Sequence, residues 1–487
     1  MQPDGARALN IIAGKAVPAN DGATFERRSP LDGSLVAFAP RSRSTDIQAA
    51  VTAAKAAWRP WSQRSAVQRG DLLRRFATVL EDGAEELIAA VRAETGKPRR
   101  DLQGELGAAQ ELAYFMASEG RRFYGRTMPS SVPGKHVSTE RAPIGVAALI
   151  VAANTPLPNY AWKVLPALLC GNTVVLKPSE HTPLSAQLFV EGLHSAGVPD
   201  GVVNLVHGLG DEAGRALVDH PDVDLVSFTG GTEVGRDIAR RAGGRLAKTC
   251  LELGGKNPLV VCDDADLDRA ARAAVASAFS NAGQRCAAGS RIIVDERVLA
   301  AFLDRFLPLV EELVVGAGDT ADVGPVISEA QLEGILERVH EARGAGAKVL
   351  AGGERLTDPA RAPGTYMSPT VLLAARGGDD PIAMEVFGPV TCIHVVADFD
   401  EALAKADDTT YGLTAAVHTR DMNRARAFVD HVQAGMVTIN GPTYGSEPHT
   451  PFGGFRASGN GCREGGTEVL DFYSDWKAVH AWTNAQS

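Results

Sequence analysis

Cys286 closes the run Gly283-Gln284-Arg285-Cys286, just past a long alanine-rich helical stretch. Thirty-four positions upstream, Glu252 sits in Leu251-Glu252-Leu253-Gly254-Gly255-Lys256. A thiol can attack carbon and a carboxylate can activate water, and an acyl-enzyme cycle needs both. Each has a plainer reading when taken alone. A cysteine in an apolar run is commonly a small buried hydrophobe, and a glutamate is commonly a solvated surface group. Their order along the chain, with Asn154 further upstream, strengthens the reactive reading.

The chain that must position these groups has 487 residues, enough for more than one domain or lobe. Hydrophobic residues make up 45% and charged residues 22%, the balance of a soluble globular protein with ample core. Lys and Arg total 49 against 59 Asp and Glu, a formal net charge of −10. No basic block reverses that sign locally, which argues against a nucleic-acid surface. No apolar stretch approaches the roughly 18 residues of a membrane span, and the first residues lack the basic-then-apolar pattern of a signal peptide. The six cysteines, Cys170, Cys250, Cys262, Cys286, Cys392 and Cys462, show neither CxxC nor Cys/His ligand spacing. That spacing argues against a disulfide framework and against a metal site, and it fits a reducing cytoplasm.

The first half alternates helices and strands. Asp46 is a candidate cap for a helix carrying Ile47, Val51 and Ala54 at helical spacing. Segments 66–95 and 101–119 read as further amphipathic helices. Segment 123–143, with three prolines and two glycines, reads as an exposed extended hairpin or arm. Short apolar strands follow at 144–151, 173–177, 202–206 and 224–228, with helices between them. Such runs, buried on both faces, imply a parallel doubly wound sheet. The pattern restarts beyond Leu259-Val260-Val261 with a helix capped by Asp264 or Asp266, and strands 291–294 and 390–396 belong to this second unit. The tail, 467–487, is rich in strand formers and is expected to pair with something.

Parallel sheets bind ligands at the carboxyl ends of their strands. Lys177 ends one strand and Glu180 follows, a pair that could embrace a ribose or form an exposed strand-end ion pair. Another strand ends in Phe228-Thr229-Gly230-Gly231, where glycines would let backbone N–H groups approach a pyrophosphate. The spacing is not GxGxxG, and taken alone it reads equally as a turn.

Seven segments together resemble the aldehyde dehydrogenase superfamily. They are Asn154-Thr155-Pro156-Leu157, Leu176 to Glu180, Phe228 to Gly235, Leu251 to Lys256, Gly283 to Cys286, Glu385 to Pro389, and Pro451 to Gly454. They occur in family order from about residue 25 to 475. The resemblance implies an α/β fold: a Rossmann-like NAD-binding domain (1–122 and 144–254), an α/β catalytic domain (255–466), and a small β oligomerisation arm (123–143 and 467–487). A homo-oligomer, dimer or tetramer, follows from the arm.

By the same resemblance Cys286 is the nucleophile, Glu252 the general base and Asn154 part of an oxyanion hole. Lys177 and Glu180 would hold the adenosine ribose, Gly230 and Gly231 would approach the pyrophosphate, Glu385 would meet the nicotinamide ribose and Phe387 would pack beside the nicotinamide. NAD is the expected cofactor, since Glu180 would repel the 2′-phosphate of NADP, although some relatives use both. The competent sulfur is the thiolate, so the Cys286 pKa is expected below the free value of about 8.5.

The chain departs from the family pattern in places. The usual Pro-Trp before the Asn is Ala152-Ala153, which widens that corner, and the C-terminal motif is one residue longer before Glu464, which resembles a proton-relay glutamate. Thr155, Pro158, Asn159, Trp162, Arg285, Tyr444, Glu447, His449 and Phe452 are the expected substrate contacts, Trp162, Arg285, Tyr444 and Phe452 foremost. Arg285 could pair with a substrate carboxylate or with the scaffold. The polar 440–452 loop favours a polar or carboxylated semialdehyde. The alternatives are aromatic or aliphatic aldehydes oxidised by the same chemistry, an acylating enzyme dependent on coenzyme A, or a non-catalytic scaffold of the same fold.

Overall fold

The four strands read from their apolar runs stand side by side with a fifth, Lys248–Glu252, that the sequence did not single out, all in one parallel array. In the computed structural model, Lys248–Glu252 pairs with Leu225–Thr229, then Val146–Ile150, Thr173–Lys177 and Val203–Leu205. Numbered by chain position, the spatial order is 3-2-1-4-5, with its switch point between Val146–Ile150 and Leu225–Thr229. Ligands of doubly wound sheets bind in the crevice at that point. Two antiparallel strands, Asn10–Ile12 and Lys15–Val17, extend the far edge. Apolar clusters cover both faces, one built around Phe76, Leu112, Tyr160 and Phe189, the other around Val51, Val226 and Phe228. Burial on both sides is why these strands lack polar alternation.

The second unit is another seven-stranded sheet. Its order is Lys348–Ala351, Thr370–Leu373, Val390–Val396, Gly289–Asp295, Asn257–Val261, Thr414–His418 and Met436–Ile439. All neighbours are parallel except the first pair. The helix Leu267–Phe279 packs on it, and Asp266 caps that helix by accepting from the Arg269 N–H.

The tail finds its partner in the proline-rich segment. Ser474–Trp482 pairs antiparallel with Lys135–Pro143 along its whole length, and Thr127–Met128 adds a third strand. A short helix, Val469–Tyr473, precedes the tail strand. Asp46 is not the cap expected of it. The helix starts earlier, at Ser44–Ser62, and Asp46 sits in its first turn, accepting from the backbone N–H groups of Arg43 and Asn20.

The structure describes residues 5–483. Residues 1–4, on which the signal-peptide expectation partly rests, and residues 484–487 of the expected arm lie outside the described residues. Among the described residues no helix is long and apolar enough to cross a membrane.

One expectation is overturned. Cys250 and Cys462 form a disulfide, with their Cα atoms 5.2 Å apart. The pair is 212 residues apart in sequence and carries no local spacing signal. The topology lays the loop after Ser458 against the strand Lys248–Glu252, and that brings the sulfurs together. The argument from cysteine spacing to a reducing compartment therefore falls. Cys170, Cys262, Cys286 and Cys392 remain free thiols.

Candidate active site

Asn154, Glu252 and the glycine pair end or follow strands of the first sheet. Asn154 follows Val146–Ile150 and stands two residues before the helix Pro156–Leu169, whose first residue is proline, a natural start. Glu252 is the last residue of Lys248–Glu252. Gly230 and Gly231 follow Leu225–Thr229, and Gly231 caps the helix Thr232–Gly243.

Cys286 is placed differently. The turn before it holds three consecutive residues with left-handed backbone, Asn281 (φ 54°), Ala282 (φ 53°) and Gly283 (φ 66°). Such conformations disfavour side chains and persist where the surroundings over-determine them. Here the surroundings are close. A Cβ on Gly283 would lie 2.0 Å from the Gly388 carbonyl oxygen. Asn281 ties the turn down, its Nδ2 donating to the Gln284 and Asn154 carbonyl oxygens. Asn257 Nδ2 donates to the Cys286 carbonyl oxygen at 2.7 Å.

Two cavities meet at this cysteine. One, of about 430 Å³, is lined by Gly230, Gly231, Gly254, Glu385 and Phe387. The other, of about 360 Å³, is lined by Trp162, Arg285, Tyr444 and Phe452. Asn154, Thr229, Glu252, Leu253 and Cys286 belong to both walls. In the second cavity Trp162 and Phe452 meet edge to face at 5.5 Å, and the Arg285 guanidinium lies 4.8 Å from the centre of the Tyr444 ring. The Arg285 Nε–H is buried and has no partner among the described residues. Glu447 and His449, expected near the substrate, are exposed and line neither cavity, because the loop turns them to solvent.

The first cavity is glycine-floored. Gly231 has open space where a Cβ would be, and a Cβ on Gly254 would lie 2.3 Å from Glu385 Oε2. Glu385 Oε1 accepts from the Gly255 N–H at 3.0 Å, and burial pushes its carboxyl up to about 7. Phe387 also holds a left-handed backbone, φ 55°. A third cavity, of about 470 Å³, is walled by Ile150, Gly214, Phe228, Val234 and Ile238. Lys177 and Glu180 are not among its walls, but the Lys177 chain comes up against Gly214, which is. Burial works against the Glu180 charge, yet Lys177, then its own backbone N–H, His181 and Arg27 hold its carboxyl below the ordinary range.

Glu252 is buried, and neither carboxylate oxygen has a partner among the described residues. Burial, then the nearby Glu464, pushes its carboxyl well above the ordinary range, while Lys163 and Arg463 pull the other way. The sequence did not single out Lys163. It pairs with Glu464 in the interior, and both its ammonium and Ser227 Oγ reach Glu464 Oε1. A lysine on the buried face of the apolar helix Pro156–Leu169 was the available signal. The extra length before Glu464 is absorbed by Asn460, whose side chain accepts from the Leu251 N–H and donates to the Thr249 carbonyl.

The Cys286 thiol corrects another expectation. Its pKa is not depressed; burial, followed by Glu385 and Glu252, pushes it up to about 12. The Ala287 N–H and the Arg285 charge pull down, but they are outweighed. The reason is burial beside two carboxyl groups brought in by distant segments, which a linear sequence does not display.

Metal-ligating residue types gather in one group among the described residues: the half-buried Asp380 with the buried Cys392 and His394, their ligand atoms within 4.8 Å of one another. The Lys256 ammonium stands 3.7 Å from Asp380 Oδ2 and supplies positive charge there from within the chain.

Comparison with known proteins places this geometry. The family model described as the aldehyde dehydrogenase family matches residues 17–479. The chain is 39% identical over 473 residues to alpha-ketoglutarate semialdehyde dehydrogenase of Haloferax volcanii, covering 97% of this chain and 98% of that one. It is 35% identical over 474 residues to alpha-ketoglutaric semialdehyde dehydrogenase of Bacillus subtilis, covering 97% of each. The crystal structure of betaine aldehyde dehydrogenase from Staphylococcus aureus in complex with NAD+ superposes with a TM-score of 0.95 at 31% identity, covering 99% of this chain and 95% of that one. The chain belongs to the aldehyde dehydrogenase family and is an oxidoreductase acting on aldehydes.

Proposed function

We propose that this family member oxidises a short carboxylated aldehyde to the corresponding acid, with NAD as electron acceptor and Cys286 as the covalent nucleophile. The observation that carries this reading is the shared wall. One thiol and one carboxyl group line both a glycine-floored cavity and an arginine- and aromatic-lined one.

The residues of the first cavity fit a dinucleotide. Gly230 and Gly231 leave room for a pyrophosphate against a helix start, Glu385 would accept from the nicotinamide ribose, and Phe387 would flank the ring. Lys177 and Glu180 would hold the adenosine ribose. The ionised Glu180 disfavours the extra phosphate of NADP, so NAD is preferred. When bound, NAD supplies a hydride acceptor beside the sulfur. The solved relative that carries NAD+ supports the choice.

The protein's own groups do the rest. The Cys286 thiolate adds to the aldehyde carbon. The Asn154 side-chain NH2 and the Cys286 N–H hold the resulting oxyanion, and loss of one such donor typically costs about 3 kcal/mol of barrier. Burial and mutual repulsion make Cys286 and Glu252 both resist charge, so the pair must lose one proton before attack. The single negative charge then sits on sulfur for the attack. Once the sulfur is a neutral thioester, that charge no longer opposes ionisation of Glu252, which takes a proton from water and drives hydrolysis. Lys163 and Glu464, buried beside Glu252, offer the proton a way onward.

Arg285, in the second cavity, is the group we assign to a substrate carboxylate. The two semialdehyde dehydrogenases among the relatives support that class. The paired strands Lys135–Pro143 and Ser474–Trp482 form the arm, and the exposed Trp476 and Trp482 on its outer strand support assembly with a second copy.

The test is a panel of α-ketoglutaric semialdehyde, hexanal and benzaldehyde with NAD, read by NADH absorbance. The semialdehyde is expected to have the highest kcat/KM. Arg285→Ala is expected to raise its KM by roughly 10- to 100-fold, the worth of a charge-assisted hydrogen bond, and to leave hexanal little changed. Glu252→Gln is expected to give a burst of NADH without turnover. A panel led by hexanal and benzaldehyde refutes the carboxylate assignment, and full steady-state turnover by Glu252→Gln refutes its role as base.

A further inference from the structure

We propose that Asn159 is a positioning residue for the oxyanion hole, acting through the side chain of Asn154. The inference rests on the reading of Asn154 as an oxyanion donor.

A side-chain amide has one accepting end and one donating end of nearly equal shape, so an asparagine can be turned either way. For Asn154 the turn decides everything. With NH2 toward the sulfur it stabilises negative charge on the reacting oxygen, and with its carbonyl there it repels that charge. The neighbouring residues at 152 and 153 are alanines, with no bulk to wedge the amide in one orientation.

The structure supplies a polar relay instead. Asn159 lies in the first turns of the helix Pro156–Leu169, its backbone N–H bonded to the Thr155 carbonyl. Its Nδ2 stands between two oxygens, 3.2 Å from the Ala152 carbonyl oxygen and 3.0 Å from Asn154 Oδ1. The backbone carbonyl of Ala152 can only accept, so it selects the NH2 end of Asn159. That NH2 group in turn selects the carbonyl end of Asn154. Asn154 Nδ2 is left over. It makes no hydrogen bond to the protein among the described residues, and it is not sealed in the interior, while Asn154 lines both cavities. The other end of Asn154 is clamped as well, because its carbonyl oxygen accepts from Lys97 Nζ and from Asn281 Nδ2 at 2.9 Å. Lys97 is itself fixed by a buried ion pair with Glu105. Main chain and side chain are thus both held, and the one unused donor belongs to a residue that shares the wall of both cavities with Cys286.

Asn159 also lines the substrate cavity, so the test must separate positioning from contact. p-Nitrophenyl acetate serves as the probe, without NAD. The Cys286 sulfur attacks the acetyl carbon, p-nitrophenolate leaves, and the acyl group stays on sulfur, so the nitrophenolate burst reads acylation through the same oxyanion site.

Asn154→Ala is expected to slow the burst by about 100- to 1000-fold. Asn159→Ala is expected to slow it by roughly 10-fold, with little change in the ester concentration giving half the maximal rate. Asn159→Asp, which can only accept, turns the Asn154 NH2 toward itself and is expected to approach the loss of Asn154→Ala. Asn159→Ser keeps a donor and is expected to fall between wild type and Asn159→Ala. The double variant Asn154→Ala/Asn159→Ala is expected to be no slower than Asn154→Ala alone, because Asn159 then has nothing left to position.

Additive losses in the double variant, or an Asn159→Asp burst at the wild-type rate, overturn the positioning role. An Asn154→Ala burst at the wild-type rate overturns the oxyanion reading beneath it, a separate result. Each variant is first matched to wild type by melting temperature. If Asn159→Ala does not fold, the Asp and Ser variants carry the comparison.

Discussion

Reduction of the Cys250–Cys462 bond is expected to weaken the fold while sparing the active site. The bond closes a loop of 212 residues that contains all seven strands of the second sheet. Chain-entropy arguments place the stabilisation from a closure of that length at about 5 kcal/mol, exerted through the unfolded chain. The native contacts around it do not depend on the sulfurs. The Leu251 N–H still reaches Asn460, Asn460 still reaches Thr249, and the Leu253 N–H still reaches the Ser458 carbonyl. Glu252 and Glu464, each two residues from a bridged cysteine, therefore keep their places. The assay has two parts. In guanidinium without reductant, four thiols are expected to titrate, and six after reduction. The guanidinium midpoint of the Cys250→Ser/Cys462→Ser protein is expected to fall well below that of the oxidised wild type, while kcat stays within about twofold, since surface-side hydrogen bonds hold the loop. Six thiols in the unreduced chain would show that the bond does not form. An unchanged midpoint in the double variant would refute the loop-entropy argument.

Two further expectations follow from the cofactor cavity. Glu385 loses its proton near pH 7, so NAD binding measured by calorimetry is expected to weaken as pH falls through about 7, by up to ~10-fold per pH unit, because the protonated group is the poorer acceptor for ribose hydroxyls. The sign for kcat is the same, since Cys286 and Glu252 both need their deprotonated forms and both are shifted upward, so a rate that falls with rising pH contradicts the assignment. Gly254→Ala places a methyl group against Glu385 Oε2 and is expected to weaken NAD binding by roughly 10-fold while thermal stability holds, since a flexible carboxylate yields more easily than backbone. Unchanged NAD affinity in that variant removes Glu385 from the ribose site.

What the sequence displayed was whatever local chemistry encodes. Strands buried on both faces appear as continuous apolar runs, and a parallel sheet then puts the residues that end them, Lys177, Thr229 and Glu252, along one rim. Cys286 and its motif were legible for the same reason. What stayed hidden depends on contacts across long separations. Lys163 and Glu464 meet over 301 positions, and Cys250 meets Cys462 over 212. The upward shift of the Cys286 thiol is a property of the surrounding volume, set by burial and then by Glu385, from the loop before Val390–Val396, and Glu252, from the end of Lys248–Glu252. Glu447 and His449 were misjudged because polarity of a loop says nothing about which way it faces. The doubly alanine corner before Asn154 was visible as a departure, but the compensating amide at Asn159 could be recognised only once the helix turned it back.

The ion pair between Lys163 and Glu464 also bears on synthesis. The ribosome releases Lys163 a full 301 residues before Glu464, so the helix Pro156–Leu169 emerges with an ammonium on its apolar side and no counter-charge to bury it with. The same late segment brings the strand-end loop that rests against Glu252. A nascent chain can therefore carry its reactive sulfur while the pocket around it is unfinished, and competence for turnover arrives only once the segment bearing Glu464 has emerged.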